Sequence, residues 1–305
     1  MSTADVSGRS LAELVSLHGR RAVVTGGGRG LGKAIALRLA EAGADLLIGD
    51  IDEELAVTAA GQLTERHGVR AIGAAMDVTD AAAVAAAADR AVAELGGLDV
   101  WVNNAGIFPS VPLLEMSEET WDQVFAVNAR GVFVGAREAA RRMSAAGPGG
   151  HPGGGPGDGP GDGPGDGPGD GPGDGRDGGG DGRRGGVIVN IVSTAGFRAS
   201  APGLAAYVGS KHAARGLTRE LALELAPLGI RVLGVAPSFV PTEGNMMMAA
   251  AVMPDGVPPT DLMLDSPIGR VGVPDDIARV VLFCASDLSA FMTGSTLLAD
   301  GGDTA

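Results

Sequence analysis

Arg21-Ala22-Val23-Val24-Thr25-Gly26-Gly27-Gly28-Arg29-Gly30-Leu31-Gly32-Lys33-Ala34-Ile35-Ala36 is the stretch that decides the fold. A short β-branched run enters a glycine cluster and leaves as an amphipathic helix. Glycines let the backbone approach a pyrophosphate, and a helix start offers free N–H groups and a partial positive charge. Strand, glycine loop and helix in that order are the context a dinucleotide-binding turn requires. An ordinary Gly-rich turn explains the glycines alone, but leaves the flanking strand and helix as coincidence.

Outward from that turn, strands alternate with helices. Strands are read near 21–25, 44–50, 70–76, 99–104, 187–192, 230–235 and 295–299. Helices are read over 30–42, 52–66, 80–95, 117–143, 206–226 and 274–286. Repeated β-α order predicts an α/β fold: one Rossmann-type, doubly wound parallel sheet of about seven strands, with helices on both faces. Right-handed crossovers then put every strand C-terminus on one edge, where ligands bind. Asp50, Asp77, Asn103 and Ser193 all fall at or just beyond such ends.

Two of these positions carry chemistry of their own. Asp50 closes Leu46-Leu47-Ile48-Gly49-Asp50, about 20 residues past the glycines, where a carboxylate suits the adenosine ribose hydroxyls and repels a 2′-phosphate. It favours NAD over NADP; Arg29, in the glycine loop, pulls the other way. Tyr207 is the sole tyrosine, in Tyr207-Val208-Gly209-Ser210-Lys211. Residues four apart on a helix share a face, about 5–6 Å between Cβ atoms. A free phenol, with a pKa of roughly 10, is a poor proton shuttle at neutral pH. An adjacent ammonium is expected to lower that value toward the working range. Taken alone, a half-buried Tyr beside a solvated Lys explains the pattern equally well.

With these motifs in order, the chain resembles the short-chain dehydrogenase/reductase family. The resemblance rests on Thr25-Gly26-x-x-x-Gly30-x-Gly32, Asp77-Val78, Asn103-Asn104-Ala105-Gly106, Asn128, Ser193 and the Tyr207/Lys211 pair. It runs from about residue 19 to 302, apart from one insertion. It implies that Tyr207 exchanges a proton with the substrate oxygen, and that Ser193 hydrogen-bonds the same oxygen. It further implies that Lys211 depresses Tyr207 and holds the nicotinamide ribose, while Asn128 anchors a water relaying protons to Lys211. The implied cofactor contacts are Thr25, Gly26, Arg29, Gly30, Leu31, Gly32, Asp50, Asp77, Val78, Asn104, Ala105, Gly106, Tyr207, Lys211, Pro237, Val240 and Thr242. No metal site is expected. Two departures stand out. Pro237-Ser238 replaces the family's Pro-Gly, and the Ser193-to-Tyr207 spacing is one residue longer than the commonest, the extra residue falling between Phe197 and Gly203.

Composition narrows the function. The 305 residues are 45% hydrophobic and carry a net charge of -14, which disfavours nucleic acid and anionic membranes as partners. The single Cys284 sits in an apolar helical stretch and reads as a buried, inert thiol. No apolar run reaches the roughly 18 residues of a membrane span, and residues 1–18 lack a secretory h-region, so cytoplasmic residence is expected. The chain reads as one domain over 1–305, interrupted at 147–186. Those 40 residues hold 22 Gly, 7 Pro and 7 Asp, with Pro-Gly-Asp-Gly repeats whose period of four excludes collagen. They have nothing to bury and read as a disordered loop at the sheet edge opposite the site. Their aspartates lack the spacing of a calcium loop.

Residues 243–268 read as a lid, apolar and pliable through Met246, Met247, Met248, Met253 and Met263, with Ile107, Phe108 and Phe197 completing an apolar pocket. The leading expectation is an NAD-dependent dehydrogenase acting on a secondary alcohol or ketone of an apolar or alicyclic molecule, in secondary metabolism. A 3-oxoacyl-carrier-protein reductase is the alternative. It would prefer NADPH and need a basic docking patch, for which Arg141 and Arg142 are candidates. A catalytically idle dinucleotide sensor or scaffold is a third, opposed by the complete set Asn128, Ser193, Tyr207 and Lys211. The resemblance also implies a homotetramer, or a homodimer, packed through helices 117–143 and 206–226, with a second interface near Leu297. Ala139, Ala213 and Ala214 suit either that packing or the chain's own core.

Overall fold

A computed structural model describes residues 5–145, 185–250 and 266–305. Seven strands form one sheet: β1 (Arg21–Thr25), β2 (Asp45–Asp50), β3 (Ala71–Ala75), β4 (Val100–Asn103), β5 (Val187–Ile191), β6 (Arg231–Pro237) and β7 (Thr296–Ala299). Their order is β3-β2-β1-β4-β5-β6-β7, and every neighbouring pair is parallel. Strand order reverses between β1 and β4, which opens a crevice at their C-terminal ends.

Alternating side chains supply two cores. Ala22, Val24, Leu46, Ile48, Val100, Val102, Val187 and Val189 face helices α2 (Gly30–Glu41), α3 (Glu53–His67) and α9 (Pro274–Ala285). Val23, Leu47, Trp101 and Ile188 face α4 (Ala81–Leu95), α6 (Gly131–Ala145) and α7 (Ala205–Leu225). With both faces covered, β1, β2, β4, β5 and β6 are buried along almost their whole length, whereas the edge strands β3 and β7 are only partly so. Asp52 and Asp80 accept N–H groups of the first turns of α3 and α4, and Gly68 and Gly96 end those helices in the left-handed region. Ala139 and Ala214 are fully buried within the chain, so core packing accounts for both.

The expected helix over 117–143 is two helices. α5 (Glu118–Phe125) passes through a π-turn, Ala126–Arg130, into α6, with the Gly131 N–H reaching back five residues to the Ala126 carbonyl. A short α1 (Leu11–Val15), capped by Ser10 and Glu13, precedes β1, and α8 (Glu243–Ala250) follows β6. Of the insertion expected at 147–186, only Gly185 and Gly186 are described; Met253 and Met263 of the lid, and the side chains of Met247 and Met248, also lie outside the described residues. Among the described residues, no helix is long and apolar enough to cross a membrane.

Candidate active site

The glycine loop leaves β1 and turns into α2. Gly26 and Gly30 hold φ of 62° and 56°, which a side chain resists. Gly32 is required by proximity: a Cβ there would lie 2.1 Å from the Gly26 carbonyl oxygen. The first N–H groups of α2 have no intrahelical acceptor and belong to this loop's exit. A backbone cradle ending in a helix N-terminus fits a dinucleotide pyrophosphate. Arg29, beside it, is exposed.

Asp50, at the end of β2, is 8% exposed. Its Oδ2 accepts the Gly28 N–H at 2.9 Å and its Oδ1 the Asp52 N–H at 3.2 Å. The carboxylate is thereby fixed against the glycine loop. Beyond β3, Asp77 Oδ1 accepts both the N–H and the hydroxyl of Thr79 at 2.8 Å, while Val78 is buried beside Gly131. At the end of β4, Thr25 Oγ1 accepts the Asn104 and Ala105 N–H groups at 3.0 Å. Asn104 Nδ2 donates to the Thr25 and Gly26 carbonyls at 2.9 and 3.0 Å. Thr25, Gly26, Asn104 and Ala105 are therefore one laced unit.

Asn128 is fully buried in the π-turn. It accepts the Ile107 N–H at 2.9 Å, donates to the Ile107 carbonyl at 2.7 Å and donates to Ser210 Oγ at 3.1 Å. Ser210 in turn donates to the Tyr207 carbonyl at 2.8 Å. The widened turn aims an amide sideways at a neighbouring chain segment, as π-turns at functional sites commonly do. Gly106 lies between: a Cβ there would be 3.3 Å from Asn128 Oδ1 and 3.7 Å from Lys211 Nζ.

Tyr207 and Lys211 occupy the first turns of α7, with Lys211 Nζ 5.6 Å from the Tyr207 ring centroid. Lys211 is 5% exposed and donates to the Ile191 carbonyl at 2.9 Å, two residues before Ser193. Burial pushes its ammonium down to about 8. The expectation that Lys211 depresses the phenol is not met in this structure. Burial pushes Tyr207 above its ordinary value, and the Ser193 hydroxyl opposes that shift only in part. Loss of water disfavours phenolate and ammonium alike, and it is the dominant influence on both groups.

The pocket walls are partly as expected. The Phe108 ring stands 5.7 Å from that of Tyr207. Phe197 instead carries the Arg215 guanidinium, 3.9 Å above its ring. The loop with the extra residue is clasped to the opposite wall by the Val111 N–H on the Gly203 carbonyl at 2.9 Å. After β6, Pro237-Ser238 leads to a buried Val240, and Thr242 lies across from Gly30, whose Cβ would be 3.3 Å from Thr242 Cβ. Arg141 and Arg142 do not form a free basic patch: both pair with buried Glu138, and Arg142 also with Asp89 at 2.8 Å.

A buried polar ladder beneath the site was not anticipated. Trp101 Nε1 donates to Asn103 Oδ1 at 2.7 Å, Asn103 to Asn190 Oδ1 at 2.9 Å, and Asn190 to Thr218 Oγ1 at 3.0 Å. It joins β4, β5 and α7. The available signal was Asn190, a lone amide in the apolar run Val187–Ile191, which burial obliges to find partners.

Comparison with known proteins agrees with this geometry. The family described as short chain dehydrogenase matches residues 20–151, and that described as Enoyl-(Acyl carrier protein) reductase matches 182–304. The chain is 37% identical to 4-formylbenzenesulfonate dehydrogenase of Comamonas testosteroni, over 94% of this chain and 99% of that one. It is 36% identical to cis-4-hydroxycyclohexanecarboxylate dehydrogenase of Sinomonas cyclohexanicum (94% and 97%), and 32% identical to a 3-oxoacyl-[acyl-carrier-protein] reductase of Chlamydia muridarum (94% and 98%). Among solved structures, a dehydrogenase/reductase from Sinorhizobium meliloti 1021 superposes with a TM-score of 0.76 at 34% identity, covering 97% of this chain and 99% of that chain. The chain belongs to the short-chain dehydrogenase/reductase family. It is an oxidoreductase of the nicotinamide-dependent alcohol dehydrogenase/reductase class.

Proposed function

We propose that the protein is an NAD-dependent dehydrogenase that interconverts a secondary alcohol and a ketone on an apolar or alicyclic molecule, in secondary metabolism. The observation that carries the reading is the convergence of Tyr207, Lys211 and Asn128 at the strand C-termini. Lys211 Nζ is held 2.9 Å from the Ile191 carbonyl oxygen and Asn128 is locked on Ile107. When bound, the dinucleotide supplies or takes up the hydride. Tyr207, kept neutral by burial, donates its proton to the ketone oxygen during reduction and regains one during oxidation. Ser193 steadies the same oxygen. The Lys211 ammonium favours the transient phenolate and holds the nicotinamide ribose. Asn128 fixes the Ile107 backbone and anchors the water through which Lys211 exchanges protons.

The choice of NAD rests on Asp50. Its carboxylate, anchored by the Gly28 N–H, supports two ribose hydroxyls and opposes a 2′-phosphate. The cyclohexane ring bearing a secondary hydroxyl in the name of the Sinomonas relative, with Phe108 against Tyr207, supports an alicyclic substrate. A carrier-protein reductase using NADPH is the second reading. Exposed Arg29 and the Chlamydia relative favour it, and the pairing of Arg141 and Arg142 with Glu138 weakens it.

NAD and NADP reduction at 340 nm against a panel of alcohols from sugars to cyclohexanols tests the reading. NAD turnover on ring alcohols, lowered about 10²–10⁴-fold or more in Tyr207→Phe, is expected. NADPH-driven reduction of acyl thioesters, with no turnover of alcohols, would replace it with the second. The reading also assembles a homotetramer through the apolar groove between α6 and α7, lined by Phe133, Leu221, Leu225 and Leu228. Light scattering that returns a monomer would end that part.

A further inference from the structure

Asn245, in the first turn of α8, is absent from the chemistry above, yet its amide is used at both ends. Its Oδ1 accepts the Thr242 N–H at 2.6 Å, and its Nδ2 donates to the Val240 carbonyl. Its own N–H reaches Thr242 Oγ1 at 3.3 Å, and the Met246 N–H reaches the Thr242 carbonyl at 2.9 Å. Pro241 between them has no N–H, so the backbone alone has one donor fewer with which to close this turn. One side chain thus ties Val240 to Thr242 and both to α8.

Thr242 faces the glycine loop across Gly30, at 3.3 Å from where a Cβ would stand, and Val240 is 5% exposed. With the Thr242 Oγ1 lone pair engaged by Asn245, its O–H remains available to donate outward.

We propose that Asn245 is the positioning residue for the nicotinamide end of the cofactor, locking the Val240–Thr242 loop against the glycine loop and coupling it to α8. This rests on the reading of Val240 and Thr242 as cofactor contacts. The rival is a plain helix cap. A cap tolerates Asp, which keeps the acceptor for the Thr242 N–H and suits a helix N-terminus. A positioning residue does not, because Asp lacks the donor for Val240 and sets a carboxylate against that carbonyl.

The experiment measures NADH and ADP-ribose affinity by fluorescence and competition, and urea unfolding without ligand, on the full chain and on Asn245→Asp and Asn245→Ala. ADP-ribose shares the glycine loop and Asp50 and lacks the nicotinamide. Both variants are expected to bind NADH about tenfold more weakly, the order of one hydrogen bond that fixes the binding loop, while keeping the parent's ADP-ribose affinity. Asn245→Asp is expected to unfold at higher urea than Asn245→Ala, because it keeps the acceptor for the Thr242 N–H and suits a helix N-terminus. NADH affinity unchanged in Asn245→Asp, or equal losses for both ligands, would overturn the proposal and leave the cofactor reading standing. A parent chain that binds neither ligand would sink that reading and the proposal with it.

Discussion

The two edges of the sheet each hold a cation, Lys211 buried and Arg231 half-buried, and they treat it differently. At the C-terminal edge, Lys211 rests on one carbonyl, that of Ile191. At the N-terminal edge, Arg231 begins β6 and donates to Ser289 Oγ and to the carbonyls of Cys284, Ser286 and Met292, at 2.9–3.5 Å. Those carbonyls lie at and beyond the end of α9, where helix polarity favours a positive charge. Nearby, Asp287 pairs with Arg9 at 2.6 Å and Arg20 at 3.4 Å. Burial lowers both cations, Arg231 to about 10, helped by Arg20, and Lys211 to about 8. The guanidinium starts high enough to stay charged at neutral pH. The ammonium is brought within reach of proton exchange. A cation saturated by acceptors holds the fold, whereas one with donors to spare is available for chemistry.

Removing the saturated cation has the largest expected effect on stability. Arg231→Met strands several buried carbonyls, each costing about 1–3 kcal/mol, with some relief from the lost repulsion by Arg20. Urea unfolding is expected to fall by roughly 3 kcal/mol, with turnover per folded molecule unchanged. Unchanged stability would show that the edges do not differ as described. Removing the unsaturated cation is expected to act in the opposite direction and with pH. The Lys211 pKa is lower in the folded chain than its ordinary 10.5. The penalty for burying the charge is therefore full below about pH 8 and gone above about 10.5. It amounts to at most about 3 kcal/mol, less about 1 kcal/mol for the hydrogen bond to Ile191. Lys211→Met should thus unfold at higher urea than the parent at pH 7, inactive but more stable, with the gap closing as pH rises from 8 to 10.5. A gap that is flat or widens over that range would contradict the burial argument.

Much of this was legible in the chain. The strands follow from β-branched runs that both helical layers bury, and the glycine loop from positions such as Gly32, where no Cβ fits. Asp50 was placed by its distance from the glycines, Asn104 by the motif that carries the family resemblance, and Lys211 by its spacing from Tyr207. The π-turn was not legible. Phe125 to Gly131 keeps a helix-compatible pattern throughout, and the extra residue in the turn depends on Asn128 reaching Ile107, a contact 21 residues distant. The stacking of Arg215 on Phe197, 18 positions on, was not legible either, because nothing in the spacing pairs the two. Asn245 sits in Thr242-Glu243-Gly244-Asn245, which reads as any helix start, and its task depends on a backbone turn that periodicity does not encode. The direction of the Tyr207 shift needed burial, which spacing alone does not give.

One feature of the N-terminal edge bears on how the molecule is held. A Cβ on Gly186 would lie 2.5 Å from Met143 Sδ, and Arg20 grips the Gly185 carbonyl at 3.0 Å. The described chain thus stops near Met143 and resumes beside the same side chain, and both points lie at the N-terminal edge of the sheet. That edge stands a strand length of roughly 15–20 Å from the crevice. A bead, a surface or a second protein attached at either point would grip the back, and every such molecule would present its crevice to the solution.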